Sequence, residues 1–308
     1  MIKQLQIIPR LRIWLIISAI LVVVSLACLG IWGLKLGIDF TGGSLLEVKF
    51  QQNIPAQTDF KATLDELNLE GGIIVQATNG NGYLLKFKSI DEDVHQQILE
   101  KIKTTYNDPE SETSNVTEDR YESIGSTIGK EMREKAIYSI IFVIIAIILF
   151  IAYAFRKVSW PIKSWKYGVV AVVALMYDVI LTLGLFSILG RFLNVEIDLP
   201  FVAALLTILG YSVNDTIVIF DRIRENLVKM SRLEFSEIIN HSINETLSRS
   251  INTMLTTLLA LIAVFLFGGV TIKFFVLALI FGIFSGTYSS IFIASPLLVL
   301  WEKFSHKK

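Results

Sequence analysis

Six stretches of this chain are apolar for long enough to cross a bilayer, and they constrain the fold more than any other feature. A helix that spans hydrocarbon needs about 20 residues. Inside lipid its backbone groups must pair with one another, which leaves helices or closed barrels as the spanning structures. The stretches lie at 13–34, 136–155, 167–189, 199–220, 250–267 and 274–300, and they predict six spanning helices. With 53% hydrophobic and only 18% charged residues, the chain lies outside the balance of soluble domains. It divides into an N-terminal segment with the first span (1–34), a hydrophilic segment (35–135), five further spans (136–301) and a short tail (302–308).

Charge orients these spans. The N-terminus and the short segments after even-numbered spans carry 15 Lys and Arg, among them Arg10, Arg12, Arg156, Lys157, Arg222, Arg224 and Lys303. The opposite short loops hold only Arg191 and Lys273. Positive residues stay on the cytoplasmic side, so both termini are expected there, with 35–135 outside. That segment has 11 basic and 18 acidic residues, a net of −7, against +7 for the rest. The basic residues are scattered over separate membrane-flanking loops, which speaks against nucleic-acid binding. The bilayer itself is the partner this pattern calls for. A lone cysteine, Cys28, excludes an intrachain disulfide and a cysteine metal cluster. It follows a basic start and an apolar run, as a lipoprotein signal would. However, Ser25 stands where Leu is wanted and the run continues to Leu34, so an uncleaved anchor helix is expected.

The segment 35–135 is the size of one small domain. Leu45 to Phe50 alternates as a strand, Thr58 or Asp59 is expected to cap a helix through Leu67, and Gly72–Ala77 and Tyr83–Lys88 flank an Asn79-Gly80-Asn81-Gly82 turn. Asp91 to Tyr106 has apolar residues at helical spacing, and Val116 to Ile124 reads as a last strand. The order βαββαβ predicts a ferredoxin-like α+β domain, a fold that identifies no function by itself. No metal-ligand cluster is visible, His95 reads as a solvated helix residue, and Asn115-Val-Thr117 matches a glycosylation triplet. No Lys-Ser/Thr helix follows the turn glycines, so they make no phosphate loop. A docking or substrate-handling module without chemistry is expected. Gly125 to Tyr138 predicts a helix that runs into the second span, a connection suited to transmitting movement.

Charges inside apolar helices point to chemistry, because a carboxylate at mid-bilayer costs about 2.5–3.5 kcal/mol even on the mildest insertion scale. Asp178 falls roughly 17 Å along its helix from Tyr167, near mid-membrane. Asp215 lies roughly 9 Å from the cytoplasmic end of its own helix, counted to Asp221. Arg249, where the fifth span begins, stands at comparable depth and is expected to pair with Asp215. A polar seam surrounds them: Arg249, Asn252, Thr253, Thr256 and Ala260 share a face, and Thr207, Gly210, Tyr211, Ser212 and Asn214 cluster near Asp215. Gly282, Gly286 and Ser290 recur every fourth residue, a small-residue face for close helix packing. Hydroxyls, amides and a movable cation beside a carboxylate suit loading and release of H⁺ or Na⁺, with no other cofactor implied. Two structural readings stand beside this one. Asp178 reads equally as glue bonded to a neighbouring helix or to Thr182, and Asp215 with Arg249 as a static ion pair.

Four motifs in order carry a resemblance. Gly37-Ile-Asp-Phe-Thr-Gly-Gly43, Leu209-Gly-Tyr-Ser-Val-Asn-Asp215, Asp221-Arg-Ile-Arg-Glu-Asn226 and Thr246-Leu-Ser-Arg-Ser-Ile-Asn252 resemble the signatures of the SecF family of bacterial protein export. The likeness extends over nearly the whole chain. It implies half of a transporter of the resistance-nodulation-division class, a six-helix bundle that pairs with a SecD-like six-helix partner. It further implies work with the SecYEG translocon on preproteins at the cytoplasmic membrane, driven by inward ion flow. In it, Asp215 matches the ion-carrying aspartate, Arg249 its arginine partner and Asp178 a further polar position. Two residues depart from the pattern: Tyr177 stands where many relatives have His, and Ser126 where Pro is common.

Three rival readings stand beside this one. An intramembrane aspartyl protease would use Asp178 and Asp215 as a proton-sharing pair, but Ser212-Val-Asn-Asp215 lacks the two glycines such enzymes carry, and Arg249 is left without a role. A proton-coupled exporter of lipids or small molecules normally carries both six-helix halves in one chain. A static scaffold predicts that Asp215→Asn leaves export unchanged.

Overall fold

The structure, a computed structural model, describes residues 5–78, 81–107, 114–154 and 164–306. After a 3₁₀ turn at Ile8–Arg10, the elements are α1 (Leu11–Trp32), α2 (Ile38–Thr41), β1 (Gly43–Phe50), α3 (Gln57–Asp65), β2 (Ile74–Ala77) and β3 (Gly82–Phe87). Then come α4 (Glu92–Tyr106), β4 (Val116–Ile124), α5 (Ser126–Ala154), α6 (Ser164–Leu193), α7 (Leu199–Lys229) and α8 (Phe235–Phe267). Last are α9 (Lys273–Ser289), a π-helical turn (Ser290–Ala294) and α10 (Ser295–His306). The chain forms two compact units, Met1–Lys35 with Ile137–Lys308, and Leu36–Ala136.

Six helices among the described residues are long and apolar enough to cross a membrane: α1, α5, α6, α7, α8 and the α9–α10 run. Several outlast their apolar stretches. α8 has 33 residues, and α7 continues to Lys229. Apolar content marks only the hydrocarbon depth, whereas the helical backbone continues wherever side chains still pack. Phe235, Ile238, Ile239 and Ile243 are buried on one face of the polar half of α8, at the spacing of an amphipathic stripe. α7 starts where its cap dictates: the Asp198 carboxylate accepts from Phe201 N–H at 3.0 Å, with Pro200 in the first turn. The last span is not one regular helix. Pro296 lacks an N–H and its ring crowds the carbonyl four residues back. The backbone widens into the π turn just before it, and Ser295 Oγ donates to the Ser290 carbonyl at 3.1 Å.

The smaller unit has the expected βαββαβ order. Its antiparallel sheet runs β2-β3-β1-β4, so β4 is a long edge strand. Alternation along β1 sends Leu46, Val48 and Phe50 into the core, where they meet Phe60 and Leu64 of α3, Leu85 and Phe87 of β3, and Ile98 and Ile102 of α4. The Gly42-Gly43 pair has a backbone reason. Both have positive φ, +73° and +138°, and a Cβ on Gly42 would stand 2.7 Å from Ser126 Cα. Only glycine closes α2, turns into β1 and lets α5 begin alongside.

Some details differ from expectation. α3 begins at Gln57 with Ala56 at its N-cap and no capping side chain, so Thr58 and Asp59 lie in its first turn. His95 is not solvated: it is 4% exposed. Positions 95, 98, 99 and 102 share one helix face, and that face is the packed one. Asn79 and Gly80 of the expected turn, and Lys3, Arg156, Lys157, Lys163, Lys307 and Lys308 among the expected basic residues, lie outside the described residues.

Candidate functional site

Close helix packing in the membrane unit builds the polar site. A Cβ on Gly286 would lie 2.9 Å from Ser212 Cβ, and one on Gly282 would lie 2.2 Å from Ile208 Cδ1. The small-residue face of α9 therefore lies directly against α7, as such faces permit. That approach carries two α9 serines to Asp178 on α6.

Asp178 is fully buried. Its Oδ1 accepts from Ser285 Oγ at 2.7 Å, and its Oδ2 accepts from Ser212 Oγ at 2.6 Å and from Ser289 Oγ at 2.8 Å. Three hydroxyls from two helices thus replace water around the carboxylate, which offsets part of its burial cost. Thr182 donates to the backbone carbonyl of Asp178 at 2.8 Å and leaves the carboxylate alone. A second tie sits beside this one. Thr216 and Ser290 share a hydroxyl contact at 2.7 Å, and Ser290 also donates to the Ser212 carbonyl at 3.4 Å. The π turn therefore begins where α9 is bonded to α7, and such turns recur at functional sites.

Asp215 follows Ser212 by three residues on α7. Its Oδ1 accepts from Ser250 Oγ at 2.6 Å, while its Oδ2 is buried with no hydrogen-bond partner among the described residues. The expected direct ion pair is absent. Arg249 is exposed, with no carboxylate oxygen of Asp215 inside the 4.0 Å ion-pair limit. One step along a helix turns a side chain by about 100°, so Ser250 meets Asp215 and Arg249 turns outward. Arg249 still attracts Asp215 through space. It lines a cavity of about 210 Å³ with Ala154, Ile217, Val218, Asp221 and Arg224.

The expected seam divides in two. Ser212 and Ser290 face inward, whereas Asn214, Asn252, Thr253 and Thr256 are exposed. Thr256 bonds only its own helix, to the Asn252 and Thr253 carbonyls at 3.0 Å. Ser285, Ser289 and Ser250 were missed. The first two lie on the helix stripe beside the one traced through Gly282, Gly286 and Ser290, and their spacing of four was a readable signal. Asp178 and Asp215 share no hydrogen bond and have separate serine partners, unlike a proton-sharing catalytic pair. No group of three or more His, Cys, Asp or Glu among the described residues could hold a metal ion.

Comparison with known proteins gives concordant results. The family described as protein export membrane protein SecD/SecF, C-terminal, matches residues 104–304, and the SecD/SecF GG motif matches residues 30–54. The chain is similar to the protein translocase subunit SecF of Anaerolinea thermophila, 40% identical over 301 residues, covering 97% of this chain and 94% of that one. It is likewise 40% identical to the SecF of Thermobaculum terrenum over 297 residues, covering 93% and 90%. Among solved structures it is similar to SecDF of Thermus thermophilus, a translocon-associated membrane protein, with a TM-score of 0.83 and 31% identity. That match covers 98% of this chain and 39% of the longer SecDF chain.

Proposed function

This chain belongs to the SecD/SecF protein-export family as a SecF subunit, and we propose that it couples ion flow across the cytoplasmic membrane to Sec-dependent preprotein translocation. A SecF is a multi-pass membrane transport protein and not an enzyme. In this reading Asp215 takes up and releases the coupling ion, H⁺ or Na⁺. The observation that carries it is the buried, partnerless Oδ2 of Asp215, beside an Oδ1 held by Ser250. A carboxylate used only as glue would have both oxygens engaged, as those of Asp178 are, because an unsatisfied buried acceptor costs about 1–3 kcal/mol. Arg249, facing the cavity near Asp221 and within Coulombic reach of Asp215, is the movable counter-charge. Asp178 is the fixed anchor of α7 against α6 and α9, with a relay role second to that.

The exposed amides and hydroxyls of Asn214, Asn252, Thr253 and Thr256 support a partner. Polar groups turned outward from spanning helices favour burial against another helix, and a SecD-like six-helix half is the partner proposed. Both termini are taken as cytoplasmic and residues 35–135 as extracytoplasmic, where they would handle preproteins emerging from the SecYEG translocon. Export into inverted membrane vesicles tests the reading. Wild type should respond to an imposed proton or sodium gradient and Asp215→Asn should not, with equal amounts of each subunit in the membrane. An unchanged response would leave the scaffold reading in its place, and failure to co-purify a SecD-like partner would favour a different exporter.

A further inference from the structure

His95 is buried, and it stands in a charged setting. Its ring stacks on Tyr121 of β4, with centroids 3.6 Å apart and planes 3° from parallel. Nδ1 lies 3.0 Å from Glu92 Oε1, on its own helix, and Nε2 lies 3.2 Å from Glu118 Oε1, on β4. The second contact is close but off the hydrogen-bond axis, so Glu118 meets the ring as a charge. Glu92 is held below the usual carboxylate range by the Gln96 amide first and His95 second, and so stays ionised. An ionised carboxylate only accepts. A neutral ring that donates to Glu92 through Nδ1 would turn the bare Nε2 lone pair toward Glu118, which repels it. Protons on both nitrogens satisfy both carboxylates.

We propose that His95 is a proton-operated latch: its imidazolium ties α4 to the edge strand β4 through Glu92, Glu118 and Tyr121, and the neutral ring lets that edge loosen. β4 is the strand to release, because it pairs on one side only, with β1, and continues through Gly125 into α5. Groups on the other elements are engaged elsewhere. Asp119 pairs with Lys49 of β1 at 2.7 Å, Arg120 with Glu122 at 2.6 Å, and α3 reaches α4 through Glu66 and Lys101 at 2.8 Å, well along the helix from His95. Histidine is the side chain whose charge ordinarily changes between about pH 5 and 8. Only the placement of this latch on the acidic side of an energised membrane rests on the orientation proposed above.

The test uses the full chain in lipid nanodiscs with ¹⁵N-histidine. The sequence has three histidines, so His95→Gln assigns the signal by its loss. The ring ¹⁵N signals report how many nitrogens carry a proton at about pH 5.5 and at about pH 8, and the latch requires two at the lower value and one at the higher. Amide protection over Val116–Ile124, corrected for the intrinsic exchange rate, should fall about tenfold or more between them, since a charge-assisted contact is lost. His95→Gln and Glu118→Gln should each remove most of that pH dependence, and Lys49→Gln should keep it. A ring that stays neutral at the lower pH, or protection that follows pH equally in His95→Gln, overturns the proposal. Either result leaves the reading of Asp215 untouched.

Discussion

Gly286→Ala adds one methyl group where α9 lies directly against α7. The new Cβ would stand 2.9 Å from Ser212 Cβ, 3.2 Å from its Oγ and 3.3 Å from its Cα. Carbon atoms rest at about 3.5–4.0 Å, so the helices must part by roughly 1 Å. Ser212 on α7 and Ser285 and Ser289 on α9 all hold Asp178, at 2.6, 2.7 and 2.8 Å, so whichever helix yields, a shift of that size takes at least one of these bonds past the useful range of about 3.0 Å. Overpacking of this kind costs about 1–3 kcal/mol. A lost hydrogen bond between membrane helices adds about 0.6 kcal/mol, up to about 1.7. Less the gain of about 0.5–1 kcal/mol on replacing any helix glycine, the expected total is about 1–4 kcal/mol, measured by unfolding in mixed micelles. Gly210→Ala is the control: a Cβ there meets nothing within 4 Å, and relief of glycine entropy should stabilise the helix by about 0.5–1 kcal/mol. If Gly286→Ala is no worse than Gly210→Ala, the packing that brings Ser285 and Ser289 to Asp178 has been misread.

Two further outcomes follow from the smaller unit. Gly42→Ala combines a backbone at φ +73° with a Cβ 2.7 Å from Ser126 Cα, so it should cost about 2 kcal/mol or more and raise hydrogen exchange in the first turn of α5; wild-type exchange there would refute the close approach. Glu92 is held below its ordinary value in the fold by Gln96 and then His95, so its contribution is present above the usual carboxylate range, near pH 4.3, and is lost as pH falls through the folded value. Glu92→Gln should flatten that acid limb of the unit's melting curve, and an unchanged limb would place the acid sensitivity elsewhere.

The reach of the sequence depended on the kind of signal. Span number followed from apolar length alone, and the βαββαβ order from alternation plus helical spacing. Asp178 and Asp215 stood out because a charge in an apolar helix is costly. Ser285, Ser289 and Ser250 did not, since hydroxyls are ordinary in spanning helices and show their purpose only when a second helix is set beside them. The partner of Asp215 turned on a single residue, Ser250 in place of Arg249, which is a question of helix rotation that spacing along one helix leaves open. His95 was misread by its polarity although its position, on the stripe of Ile98, Leu99 and Ile102, marked it as buried. The irregular last span lay outside what apolar length shows: 274–300 reads as one continuous stretch, and the π turn at Ser290–Ala294 just before Pro296 interrupts it.

The central claim is that the free oxygen of Asp215 carries the coupling ion. Its most direct test is ion movement into proteoliposomes that hold this chain with its six-helix partner, followed with a pH-sensitive dye and with labelled sodium. Wild type and Val228→Ala, a change at an exposed residue further along the same helix, should move the ion down its gradient, while Asp215→Asn should reduce the flux to that of empty liposomes. Flux through Asp215→Asn equal to wild type would contradict the account.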